Sequence, residues 1–242
     1  MWVLPVFGAL LGLIWGSFIA ALCSRWPVGE SVAEGRSRCD ICRTTLGIRD
    51  LLPVLSYIAL RGRCRHCNQR IGMRPVIIEL VAASIAVISG LLLPPAMALG
   101  AMLFGWLLLP IVMLDYDHLW IPDRLVILLA VGGVIFAPMV WPDIETLDRL
   151  IGAGAGFLTL EAIRQIYKVL RKREGMGAGD PKLFAALGLW LGWHALPIIL
   201  FLASLFGIVT AIYRHFASSG SQSALPLGSF LALAALALVW FG

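Results

Sequence analysis

The chain has 242 residues, of which 60% are hydrophobic and 14% charged, and its mean hydropathy is +0.91. An average soluble domain is about 25% charged, so this composition excludes a disordered chain, an ordinary nucleic-acid-binding module and a disulfide-rich secreted scaffold. It also leaves too much apolar surface for a water-soluble globule, and the natural solvent is a lipid bilayer.

The net charge of +5 follows the loops. Ten of the 19 Lys and Arg residues lie between Arg25 and Arg74, among Glu30, Glu34, Asp40 and Asp50. Lys168, Arg171, Lys172 and Arg173 form a second cluster. Basic blocks between apolar spans mark cytoplasmic loops, and no nucleic-acid partner is expected.

A membrane helix needs about 20 apolar residues. Met1–Ser24 has no charged side chain and reads as the first helix. Its start lacks the Lys or Arg of a signal peptide, and Arg25 behind it places the N-terminus outside. The second helix is predicted over Val76–Leu93, with a turn at Pro94-Pro95, the third over Met97–Leu114, the fourth over Leu125–Trp141 and the fifth over Ile151–Tyr167, despite Glu161 and Arg164. Leu183–Tyr213 carries no Asp, Glu, Lys or Arg and is too long for one pass across a core of roughly 30 Å. A turn at Gly192-Trp193-His194 before Pro197 divides it into two short helices. Leu225–Gly242 is the eighth, after a polar linker at Ser218–Ser223. The expectation is an all-α polytopic membrane protein of about eight helices with both termini outside. Its divisions are 1–24, a cytoplasmic loop 25–75, and a membrane domain 76–242. Arg149 is the one base left clearly on the outer side.

The loop contains Cys39-Asp40-Ile41-Cys42 and Cys64-Arg65-His66-Cys67, with 21 residues between the two pairs. Two such knuckles complete a tetrahedral thiolate shell for one structural zinc, with no open position for catalysis. Two disulfides are the competing reading, which a reducing cytosol opposes. His66 reads as a solvated neighbour of the ligands, and Cys23 as a small packing residue.

Ionisable residues beside apolar spans point to function. Asp115 directly continues the third span, and Asp117 and Asp123 follow it. Asp123 suits the N-cap of the fourth helix, and Asp117 reads as a solvated loop acid. The segment Gly175-Met176-Gly177-Ala178-Gly179-Asp180-Pro181-Lys182 combines a permissive backbone with Asp180, which suits either a helix cap before Pro181 or catalysis. Asp115 and Asp180 both lie where a span meets a cytoplasmic loop. Two carboxylates sharing a site hold one proton between them, so one can activate water while the other polarises a peptide carbonyl. None of His66, His118, His194 and His215 sits in a recognisable hydrolase motif.

These residues resemble the type IV prepilin peptidase family, the leader peptidase/N-methyltransferases. The resemblance runs through Gly16-Ser17-Phe18 with Arg25 and Pro27, both CxxC knuckles, Pro53 with Ser56-Tyr57, Leu60 to Cys64, and Glu79. It continues through Asp115 with Pro122-Asp123, then Gly177, Gly179-Asp180, Lys182-Leu183, Gly188 and Gly192. It implies a bacterial inner-membrane aspartic peptidase that cleaves the basic leader of type IV prepilins or pseudopilins on the cytoplasmic face, after a glycine. It also implies a methyltransferase that uses S-adenosylmethionine on the new N-terminus. By motif position Asp115 and Asp180 are the catalytic pair, with Gly177, Gly179, Lys182, Asp117 and Asp123 supporting the loop. Glu79 is the candidate for methyl transfer, or else an acid favoured by the dipole at a helix N-terminus. The family's pattern is departed from at Ala20, at Asp50-Leu51-Leu52-Pro53 and at Met73-Arg74-Pro75-Val76. These changes touch the half associated with methyl transfer and leave the peptidase motifs intact. Two other readings are a proton-coupled transporter relaying protons through Asp115, Asp180 and Glu161, and a non-enzymatic zinc-knuckled assembly factor.

Overall fold

The computed structural model describes residues 3–32, 37–39, 41–216 and 224–242. The linker expected at Ser218–Ser223 lies outside the described residues, as do Met1, Trp2, Glu34, Arg36 and Asp40. The described elements are helical, apart from two isolated β-bridges. Among the described residues, nine α-helices run α1 Val3–Arg25, α2 Leu55–Ala59, α3 Arg74–Leu92, α4 Pro95–His118, α5 Asp123–Val140, α6 Thr146–Arg171, α7 Gly179–Leu191, α8 Ala195–Phe216 and α9 Leu227–Phe241.

Every expected apolar helix is present, and α2 is an addition within the cysteine loop. Three details differ in ways that matter, while the expected break at Gly192 holds. Residue Pro95 opens α4 instead of lying in a turn, as suits a residue that lacks an amide hydrogen. The same helix continues to His118, so Asp117 is helical and exposed, not part of a loop. The long apolar stretch breaks where Gly192 takes a positive φ of 73°. Its second piece, α8, is not short: it has 22 residues. Five helices are long and apolar enough to cross a membrane: α1, α3, α4, α5 and α8. Helices α7 and α9, at 13 and 15 residues, rise less than the roughly 30 Å of a hydrocarbon core. The surfaces of the long helices carry large apolar side chains such as Phe201, Ile135 and Met139, all more than half exposed. Without lipid this surface would be untenable, and the protein is a multi-pass membrane protein.

The chain forms two compact units, Met1–Ala98 and Leu99–Gly242. The sequence reading separates the second apolar helix from the first at residue 76, whereas in the structure α3 packs on α1. The cause is a small-residue stripe. An added Cβ would lie 2.6 Å from the Ala82 carbonyl oxygen at Gly12, and 2.6 Å from the Glu79 Cα at Gly16. With Gly8, also buried, these recur every fourth residue and let two membrane helices touch backbone to backbone.

In the second unit, α7 is the most enclosed helix. Trp190, fully buried, donates from its indole to the Leu129 carbonyl at 2.7 Å and lies over Gly132 and Gly133 of α5. Gly188 of α7 meets the backbone of Gly152 in α6. Arg149 is buried, so it is not a loop charge as its position suggested. Its guanidinium donates to the carbonyls of Ala137 and Trp141 at the end of α5, and of Leu189 and Trp190 at the end of α7. All four carbonyls lie at the negative dipole end of a helix, and those of Leu189 and Trp190 are among the ones a helix terminus leaves unpaired. The exception to the charge pattern is therefore a clasp on two helix ends.

Candidate active site and metal centre

In the second unit, Asp115 comes from the last turn of α4 and Asp180 from the first turn of α7. Both are 5% exposed. An added Cβ on Gly228, at the start of α9, would be 3.1 Å from Asp115 Oδ2 and 3.1 Å from Asp180 Oδ1. The two oxygens are therefore no farther apart than twice that distance. Asp115 Oδ2 accepts the Ser229 amide at 2.7 Å and the Ser229 hydroxyl at 3.0 Å. Asp180 Oδ2 accepts the Gly177 amide at 3.0 Å, while its buried Oδ1 has no hydrogen-bond partner. An acceptor left bare in a buried site costs stability, and natural structures keep such groups for a reason.

The loop residues are placed as follows. The N-cap of α7 is Ala178, not Asp180, because the helix begins at Gly179, two residues earlier than Pro181 suggested. Gly179 is needed for close approach: a Cβ there would lie 2.7 Å from the Ile121 Cβ. None of Gly175, Gly177 and Gly179 has a positive φ, so the motif serves contact more than unusual backbone angles. Asp123 is likewise not a cap. Pro122 holds that position, and Asp123 pairs with Lys182 at 2.7 Å, joining the starts of α5 and α7. Glu161 is held by Arg164 and Gln165 of its own helix. Ile121, Gly228 and Ser229 were missed by sequence reasoning; only contact between distant helix ends reveals them.

In the first unit, the four cysteine sulfurs lie within 4.8 Å of one another, with Cys39 and Cys67 at 3.9 Å. The two knuckles share one backbone design. The Cys39 amide donates to the Thr44 carbonyl, as the Cys64 amide donates to that of Gln69. Arg43 and Asn68, each four residues after the first cysteine of its pair, have positive φ values of 58° and 59°. The bridges Arg38–Thr45 and Arg63–Arg70 close the turns. The Thr44 hydroxyl and amide hold the Cys42 thiol down to about 6. Against the lowering pull of the Gln69 amide, burial and three neighbouring thiols push Cys67 up to about 11. Four sulfurs this close cannot all ionise without a cation, and that donor set fits a metal ion such as zinc. His66 is exposed and outside the cluster, and Cys23 is buried within α1.

Asp50 accepts from the Gly47 amide at 3.2 Å and from Arg65 at 2.8 Å, which ties a 3₁₀ turn, Ile48–Leu51, to the second knuckle. The Arg65 hydrogen bond holds the Asp50 carboxyl below its usual range. Glu79 is not at the N-terminus of its helix. It lies in the second turn of α3, is 5% exposed, and its Oε2 accepts the Val54 amide at 2.8 Å. Val54 has a φ of 60°, a strained conformation for a β-branched residue. A cavity of about 430 Å³ opens beside Glu79, walled by Ser17 and Ala20 of α1 and by Cys39 and Cys64.

The model of the bacterial peptidase A24 N-terminal domain matches residues 10–92, and that of the type IV leader peptidase family matches residues 102–212. The type 4 prepilin-like proteins leader peptide-processing enzyme of Escherichia coli O78:H11 is 32% identical over 256 residues, covering 98% of this chain and 94% of that protein. The chain belongs to the type IV leader peptidase family. Among other family members, the prepilin leader peptidase/N-methyltransferase of Aeromonas salmonicida strain A449 is 39% identical over 208 residues, 85% of this chain and 71% of its own. That of Burkholderia pseudomallei K96243 is 36% identical over 264 residues, covering 98% of this chain and 85% of that protein. No solved structure matches the chain. Nothing in the family points to a transporter.

Proposed function

We propose that the protein is a prepilin leader peptidase in which Asp115 and Asp180 hydrolyse the peptide bond, and that its N-terminal unit methylates the new N-terminus. The observation that carries the first part is the convergence of two buried carboxylates on one point in front of Gly228. Like charges that close share a proton. The ionised partner takes a proton from water, and the resulting oxygen bonds to the carbonyl carbon while the protonated partner gives its proton to the carbonyl oxygen. Collapse of the gem-diol then breaks the C–N bond as a proton passes to the leaving amine. The substrates are type IV prepilins or pseudopilins, whose basic leaders suit an acidic site.

The methyl donor is S-adenosylmethionine. What supports this is the cavity beside Glu79, whose volume lies in the range of about 300–1,000 Å³ typical of ligand pockets. All three departures from the family's pattern contribute residues to that cavity: Ala20, then Asp50 and Leu51, then Arg74, Pro75 and Val76. Weakened or altered methyl transfer is thus an expected outcome. Glu79→Gln lowers methylation by roughly 10-fold or more, the loss expected of a buried charged hydrogen-bond acceptor, and spares cleavage. Incubating purified protein with a prepilin, with and without S-adenosylmethionine, and weighing the product tests both activities. A product that is shortened but never gains a methyl group would reduce the function to peptidase alone.

In this reading zinc is structural, one ion per chain, and all eight helices other than α2 pass through the bacterial inner membrane with the cysteine loop and both aspartates on the cytoplasmic side. Short α7 and α9 cross where neighbouring helices enclose them. Cysteines introduced at Arg63 and at Glu145 test the orientation: only the second is labelled by an impermeant reagent in intact cells. Labelling of the first from outside would end the topology.

A further inference from the structure

The two carboxylates are not equivalent, and the difference comes from α9. Asp115 Oδ2 receives two donors from Ser229, the amide at 2.7 Å and the hydroxyl at 3.0 Å. Both come from the first turn of a 15-residue helix, where the dipole also favours an anion. Asp180 Oδ2 accepts the Gly177 amide, and the Gly228 amide also faces its carboxylate. Its Oδ1, on the side facing Gly228, makes no well-formed hydrogen bond and receives no side-chain donor. Hydrogen bonds to the charged form favour that form. Among the described residues, the titratable group facing Asp115 from another element is Asp180 of α7. The first turn of α9 brings no charge, and Asp117 and His118 on α4 itself are exposed.

We infer that Ser229 is a positioning residue: it fixes Asp115 as the ionised base and leaves the proton on Asp180 Oδ1 as the acid. The single Ser229 hydroxyl proton is shared in a three-centre bond between Asp115 Oδ2 and the Val112 carbonyl at 2.9 Å, which holds the side chain against α4. Gly228 completes the device. A Cβ there would lie 3.1 Å from both carboxylate oxygens, so glycine keeps a side chain from coming between them. The inference rests on the assignment of Asp115 and Asp180 as the catalytic pair.

The test measures prepilin cleavage by the full-length protein in detergent for Ser229→Ala, Ser229→Thr and Ser229→Cys, beside Asp115→Asn and Asp180→Asn. Ser229→Ala keeps the amide and loses the hydroxyl. Its kcat falls about 10-fold or more, as for a hydrogen bond to a charged group, with KM unchanged, and threonine restores kcat to within about 2-fold. Cysteine, a weaker donor of similar size, falls between the two and supplies the answer if the alanine variant does not accumulate. A wild-type kcat for Ser229→Ala or Ser229→Cys, a change confined to KM, or a loss that threonine does not restore would overturn the inference while leaving the pair intact. Near wild-type cleavage by Asp115→Asn or Asp180→Asn would instead remove the pair itself.

Discussion

Asp115→Asn and Asp180→Asn each lower prepilin cleavage by about 10²–10⁴-fold, the usual worth of a positioned acid or base, with expression and zinc content nearly unchanged. The amide has nearly the size of the acid, and its oxygen still accepts from Ser229 at position 115 and from Gly177 at position 180. What it loses is the charge and the transferable proton. The two losses are similar, because neither group alone both activates water and protonates the carbonyl. Asp117→Asn and Asp123→Asn cost far less. Asp117 is exposed, and the pair of Asp123 with Lys182 is half-exposed, of the kind that contributes little. Rates measured on one purified prepilin decide the matter. Near wild-type cleavage by either of the first pair removes that residue from the mechanism, and by both removes the aspartic peptidase.

Protein purified without chelator contains one zinc per chain, and Cys64→Ser lowers metal affinity by more than about 100-fold, beyond the loss typical of an outer-shell partner. The reason lies in the backbone. Each knuckle turns through a left-handed non-glycine residue, Arg43 or Asn68, a conformation that persists only when its surroundings enforce it. Without the ion, the Cys42 and Cys64 thiols, one on each knuckle, are both held below the usual thiol range, and like charges drive the knuckles apart. Since Cys39 and Cys64 also wall the cavity beside Glu79, loss of zinc opens that cavity, disorders the loop and lowers the amount of folded protein. Elemental analysis and limited proteolysis of the loop check this. A metal-free wild-type protein with a protected loop would contradict it.

Much of this molecule is legible without coordinates, because its strongest signals are local. A bilayer demands long apolar helices, so the order of the helices and the break at Gly192 follow from charge-free runs. Cysteine spacing within each knuckle is a matter of four residues, so the cluster follows from adjacent positions. Asp115 and Asp180 stand out because an acid beside an apolar span is costly. The resemblance to the family rests on the same short motifs.

The partners of those residues depend on which helices touch, and apolar periodicity cannot say this where every face is apolar. In lipid no hydrophobic drive sorts helix from helix; steric fit does. Thus Gly8, Gly12 and Gly16 bring α3 to α1, and Trp190 finds its place over Gly132 and Gly133. Arg149 reads as a stray outer charge until the ends of α5 and α7 meet around it. Asp123 reads as a cap until Lys182, 59 positions away, reaches it. Ser229 lies 114 positions from the aspartate it serves, and no short motif spans that distance. The sequence by itself determined the solvent, the order of the helices and the four-cysteine cluster, and singled out the two aspartates, since each is written in neighbouring residues. Only the tertiary structure decided which backbone donors face each carboxylate, because that depends on where the end of one helix lands against another.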